Sequence, residues 1–199
     1  MSKTLDFIFD FGSPNGYFAY KALRPILERS GATLNLIPCL LGGIFKSTGN
    51  QPPMVAFGQV KGKLAYEQLE IHRFIKKHGL SDFTFNPNFP VNTLILMRGA
   101  IAAEEDGRLL EYVEAGSKAM WEDGLKMDDP EVFIDAMTKA GFDGAALLAK
   151  TQDPAVKAKL AENTADAVAR GCFGVPTFYV GDEMFFGKDR LAQVEEALS

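Results

Sequence analysis

The stretch FGVPTFYVGDEMFFGKDRL, residues 173 to 191, decides the fold. Residues 177–180 and 183–186 are short β-branched and aromatic runs around Gly181-Asp182, which predicts a hairpin with glycine at the position of positive φ. Gly187-Lys188-Asp189-Arg190 then leads into a last helix over 189–198, for which Asp189 is a suitable N-cap. The chain therefore ends strand, strand, helix. It begins differently. Residues 5–11 form an aromatic run bounded by Gly12, residues 14–30 read as a helix closed by Gly31, and TLNLIP at 33–38 reads as a second strand. Strand–helix–strand in one sheet implies a right-handed crossover and parallel pairing.

Between these ends, from Phe57 to Gly171, the pattern is helical. Leu64, Ile71, Ile75 and His78 recur on one face, which places His78 as a partly buried histidine at a helix end. Helices are expected near 92–105, 108–121, 130–140 and 154–170. The element order is that of an α/β, thioredoxin-like domain with a large all-helical insertion. The expected division is 1–56 with 172–199 for the discontinuous thioredoxin-like domain and 57–171 for the insertion.

The totals exclude several function classes. The 199 residues are 47% hydrophobic and 24% charged, as in a globular protein with a substantial core. A net charge of −5 and no basic stripe argue against nucleic acid as a partner. No run of 18 apolar residues occurs, so no membrane span is expected. The two cysteines, Cys39 and Cys172, are isolated, and no Cys-x-x-Cys is present to carry dithiol chemistry. They fit reduced thiols in a cytoplasmic protein. With only His72 and His78 beside them, no metal site is expected.

Chemistry concentrates in four places. Ser13-Pro14 follows the first strand and opens a helix, where unpaired N–H groups and positive potential favour an anion such as a thiolate. Asp129-Pro130 and Asp153-Pro154 have the same form, so Ser13 also reads simply as an N-cap. Gly174-Val175-Pro176-Thr177 precedes a strand. Its proline is either trans at an edge or cis, the latter leaving Val175 backbone groups to pair with an extended ligand. Asp189 is a helix cap or a carboxylate for a ligand ammonium. The loop Thr48-Gly49-Asn50-Gln51-Pro52-Pro53 reads as a connector. No Ser/His/Asp arrangement is evident.

FDFGSPNGYFAY (9–20), GNQPP (49–53), KGKLAYEQLEIHR (61–73), FPVNTL (89–94) and the 173–191 segment together carry a resemblance. The chain resembles the 2-hydroxychromene-2-carboxylate isomerases and the kappa-class glutathione transferases, among thioredoxin-fold proteins related to DsbA. The resemblance implies a homodimer that binds glutathione and acts on a small aromatic or electrophilic substrate. Ser13 falls on the catalytic serine, whose hydroxyl favours the glutathione thiolate. Val175 would pair with the cysteinyl segment next to a cis Pro176. Asp189 would hold the γ-glutamyl ammonium with Lys188 beside it, and Asn50 would lie near the tripeptide. Lys63 is the candidate for the glycyl carboxylate, with Lys61 competing for that alignment. The implied reaction is cis–trans isomerisation by reversible thiolate addition. A kappa-like transferase or peroxidase, or a catalytically silent peptide-binding protein, are the alternatives. Many members carry an aromatic and a small polar residue after Ser-Pro, whereas Asn15 and Gly16 stand here, which implies a more open or polar pocket beside the sulfur.

Overall fold

The computed structural model describes residues 3–199. Four strands, β1 (Thr4–Phe9), β2 (Thr33–Pro38), β3 (Thr177–Val180) and β4 (Glu183–Phe186), form one sheet in the order β2-β1-β3-β4. β1 runs parallel to β2, with Thr4 opposite Thr33 and Phe9 opposite Pro38. β3 is antiparallel to β1, with Leu5 opposite Val180 and Ile8 opposite Thr177. β4 returns antiparallel through the expected hairpin, in which Gly181 has φ 60°. Leu5, Phe7, Ile8 and Phe9 are all buried, so both faces of β1 are covered.

The ten helices of the described residues are α1 (Pro14–Ser30), α2 (Leu41–Thr48), α3 (Pro53–Ala56), α4 (Lys63–His78), α5 (Leu94–Glu105), α6 (Leu109–Trp121), α7 (Pro130–Lys139), α8 (Gly144–Lys150), α9 (Pro154–Ala169) and α10 (Leu191–Leu198). α2 to α9 all lie between β2 and β3 in the chain. α1 packs against α10, while α5 and α9 pack on β2. This is a thioredoxin-like α/β fold with a helical insertion, as the element order predicts.

All three cap–proline starts form as caps. Ser13 Oγ accepts from Gly16 N–H at 3.1 Å, Asp129 from Glu131 N–H at 3.0 Å, and Asp153 from Ala155 N–H at 2.8 Å. Gly31 closes α1 at φ 66°. His78 is half-buried at the end of α4, its ring 4.2 Å from that of Phe74.

Two expectations are corrected. β1 ends at Phe9 and not at residue 11, because the Asp10 carboxylate turns to accept the Gly12 and Leu41 N–H groups. Asp189 caps no helix. It lies in a 3-10 turn, Lys188–Arg190, and α10 begins only at Leu191, without a side-chain cap. The stretch 41–48 is helical despite Gly42 and Gly43, which weaken helix propensity; Gly43 is needed because a Cβ there would lie 3.0 Å from Thr164 Cγ2 on α9.

Candidate functional site

The start of α1 and the segment before β3 meet at one hydrogen bond. Ser13 is buried, and its hydroxyl donates to the Val175 carbonyl at 3.1 Å while accepting from Gly16 N–H. The Val175–Pro176 peptide is cis. Among the described residues neither the Val175 N–H nor the Asn15 N–H has a hydrogen-bond partner. Pro14 has no N–H, and the Gly16 and Tyr17 amides are bonded to Ser13, so Asn15 offers the one open donor of the first turn. A hydroxyl and two backbone N–H groups belonging to a helix start and a strand entry form a donor set suited to a sulfur anion.

The loop bearing Ser13 is fastened on several sides. Ser13 N–H donates to the Asp10 carbonyl at 3.2 Å, and Trp121 Nε1 donates to the Phe11 carbonyl at 2.8 Å. The Phe11 ring lies over Gly116 of α6, where a Cβ would come within 2.7 Å of it. Tyr17, one turn into α1, is not an alternative acid. Its hydroxyl donates to Glu122 at 3.1 Å, and burial with that carboxylate pushes its pKa far above the ordinary phenol value.

Asn50 reaches the same place from the loop after α2. Its amide donates to the Phe173 carbonyl at 2.7 Å, and a Cβ on Gly174 would lie 3.9 Å from Asn50 Nδ2. The Phe173 and Phe186 rings pack beside it, with centroids 4.5 Å apart. The β4–α10 turn is tied to the cis-proline segment by Gly187 N–H, which donates to the Pro176 carbonyl at 2.9 Å. The next residue, Lys188, has a side chain only 7% exposed, although Asp189 is 66% exposed, and the two pair at 3.0 and 3.2 Å. The Lys188 ammonium also lies 5.2 Å from the centre of the Phe74 ring on α4. The Asp189 charge is felt by Tyr66 and Glu70 of α4.

Ser13, Asn50, Val175 and Pro176 are thus brought together, and Lys188 and Asp189 follow directly along the chain. Lys63 is not joined to them. It opens α4, pairs with Glu67 at 3.1 Å and lies 4.9 Å from the centre of the Phe57 ring; Lys61 is exposed in the preceding loop. Gly16 is buried, and a Cβ on it would just touch Val175 Cγ1, the Asp10 carbonyl and Ser13 Cβ, each at 3.4 Å, so the start of α1 packs close on the cis-proline segment. Asn15 beside it is partly exposed. The residue that sequence reasoning missed is Asp10, whose signal was an acid at the end of an apolar strand, two residues before Gly12.

The fold agrees with what comparison with known proteins shows. A 2-hydroxychromene-2-carboxylate isomerase from Pseudomonas putida is 29% identical over 98% of this chain and 93% of its own length. Glutathione S-transferase kappa 1 of Rattus norvegicus is 29% identical over 95% of this chain and 88% of its own. The solved structure of a 2-hydroxychromene-2-carboxylate isomerase superposes with a TM-score of 0.84 at 29% identity, covering 98% of this chain and 94% of that one. The DSBA-like thioredoxin domain matches residues 4–199, and the chain belongs to that family.

Proposed function

We propose that the chain is a glutathione-dependent isomerase that converts 2-hydroxychromene-2-carboxylate-type substrates to trans-o-hydroxybenzylidenepyruvate-type products. The single observation that carries this reading is the 3.1 Å contact of the Ser13 hydroxyl with the Val175 carbonyl. It joins an anion-favouring helix start to the backbone edge on which an extended peptide pairs. The relatives' names point the same way.

Glutathione, when bound, supplies the sulfur that adds reversibly to the conjugated double bond, so that the bond rotates as a single bond before elimination restores it. The Ser13 hydroxyl swings from the Val175 carbonyl to the sulfur, with Gly16 N–H still donating to its oxygen. The Asn15 N–H, the open donor of the first turn, adds to the positive field that holds the negative charge. Serine suits this task because it stabilises the thiolate without forming a disulfide with it. Val175 pairs through its backbone with the cysteinyl segment, beside cis Pro176. Asp189 takes the γ-glutamyl ammonium and Lys188 the neighbouring α-carboxylate, so a preformed ion pair meets a zwitterion. Asn50 borders the tripeptide, and Lys63, once released from Glu67, reaches the glycyl carboxylate. The donor set fits the cofactor, and in this reading the molecule is a cytoplasmic homodimer whose interface covers part of the exposed apolar surface, which includes Met54, Val55 and Leu69.

A kappa-like transferase or peroxidase is the second reading. Asn15 favours it, because a half-exposed amide beside the sulfur leaves the pocket polar and without a preference for aromatic rings. Two measurements decide. Calorimetric titration with glutathione is expected to show binding below millimolar concentration; no binding overturns both readings in favour of a silent peptide-binding module. A spectrophotometric assay with the chromene carboxylate is expected to show turnover only when glutathione is added. Conjugation of other electrophiles with no isomerisation favours the transferase. Light scattering on a sizing column tests the dimer.

A further inference from the structure

Asp10 is 2% exposed, and its two carboxylate oxygens each accept a backbone N–H. Oδ1 accepts the Gly12 N–H at 2.8 Å, immediately before the Ser13 cap of α1. Oδ2 accepts the Leu41 N–H at 2.7 Å, on the first residue of α2. The Thr93 hydroxyl, on the residue that precedes α5, lies on the same side and helps hold the carboxyl's pKa down. The starts of three helices therefore converge on one acid, and each brings the positive end of a helix toward it. A buried carboxylate is an expensive residue for mere packing. Its advantage is that two oxygens accept from two chain segments at once, which an amide cannot do. The Asp10 carbonyl completes the loop by accepting Ser13 N–H at 3.2 Å.

We propose that Asp10 is the positioning residue of the Ser13 hydroxyl: by tying the starts of α1, α2 and α5 to one buried carboxylate, it sets where that hydroxyl stands against Val175 and the cofactor sulfur. The inference rests on the glutathione reading of Ser13. Asp10 touches neither substrate nor cofactor and acts through the loop. Burial raises its pKa while the Gly12 and Leu41 N–H groups and the Thr93 hydroxyl oppose that shift, and Cys39 at the end of β2 is the titratable neighbour that feels its charge.

Asp10→Asn tests the idea with little change of shape. Its single carbonyl keeps one partner, and its NH₂ is forced against a second N–H donor. Three quantities are measured on wild type and Asp10→Asn: glutathione affinity by calorimetry, the pKa of the bound thiol by thiolate absorbance, and kcat with the chromene carboxylate.

In Asp10→Asn the glutathione affinity is expected to stay within about threefold of wild type, since the tripeptide contacts are elsewhere. The bound thiol pKa is expected to rise by about one unit, a tenfold loss of thiolate near neutral pH. kcat is expected to fall at least about tenfold as the oriented donor is lost. A bound thiol pKa that is unchanged or lower in Asp10→Asn overturns the proposal. If Asp10→Asn does not fold, Thr93→Val removes the hydroxyl with the shape kept, and a bound thiol pKa that does not rise in it overturns the proposal. Wild type that binds no glutathione overturns the underlying reading and the proposal together; wild type that binds and lowers the thiol pKa, with variants that match it, overturns the proposal alone.

Discussion

Ser13, Asp129 and Asp153 start three helices with the same two-residue device, a capping side chain followed by proline. Locally they are interchangeable. Each caps an N–H of the first turn, and the energy of each cap is about 1 kcal/mol. Their surroundings separate them. Ser13 is buried at the end of a central strand and has a second partner, the Val175 carbonyl, 162 residues away in the chain. Asp153 is exposed and Asp129 half-buried, and neither caps anything beyond its own helix. A hydroxyl accepts and donates at once, whereas a carboxylate only accepts. Serine therefore fills the one start where a donor must remain for something else.

The comparison can be broken most directly by removing the hydroxyl. Ser13→Ala is expected to lower kcat for the chromene carboxylate by about a hundredfold or more, the usual loss for one oriented donor. A urea melt should register a loss of only about 1–2 kcal/mol. Full turnover in this variant would reduce Ser13 to a cap like the other two. Asp189→Asn should leave kcat at saturating glutathione within about threefold while weakening glutathione about tenfold, as expected for a lost charge-assisted contact; calorimetry reads this, and unchanged affinity removes Asp189 from the site. Asp153→Ala sharpens the contrast from the other side. It should lower stability by about 1 kcal/mol with no change in kcat.

The smallest effect concerns His78. Burial, and then the charge of Lys77, hold its pKa below the ordinary histidine value of 6.5. The folded chain thus prefers the neutral ring, and the unfolded chain takes up the proton more readily. The stability His78 contributes is complete above its unfolded pKa and is lost as pH falls through its folded one. The ring is only half-buried, so the slope is small. Melting temperatures of His78→Phe measured downward from pH 7 should fall less steeply than those of wild type.

Most of the frame was legible because it is written in local signals. Gly31, Gly181 and the proline pairs marked their turns and helix starts to within a residue or two. The parallel pairing of β1 with β2 and the β3–β4 hairpin followed from the sequence of elements. α2 was not legible because Gly42 and Gly43 argue against a helix locally, while Gly43 answers to Thr164 on a distant helix. Asp189 looked like a cap because the sequence cannot show that Lys188 would turn inward and hold its carboxylate. Within the candidate site, Ser13, Asn50, Val175 and Pro176 could be named from motifs. Asp10 could not, since its meaning lies in Leu41 and Thr93, which only folding brings to it.

The single tryptophan gives the molecule its own reporter. Trp121 is fully buried, and its indole N–H is bonded to the carbonyl of Phe11, two residues before Ser13. Indole emission responds to the polarity and hydrogen bonding around the ring. The fluorescence of the unlabelled protein therefore reads the loop that carries the Ser13 hydroxyl. Ligand entry at that loop can be followed as a change in colour or intensity in a stopped-flow cell, without any added dye.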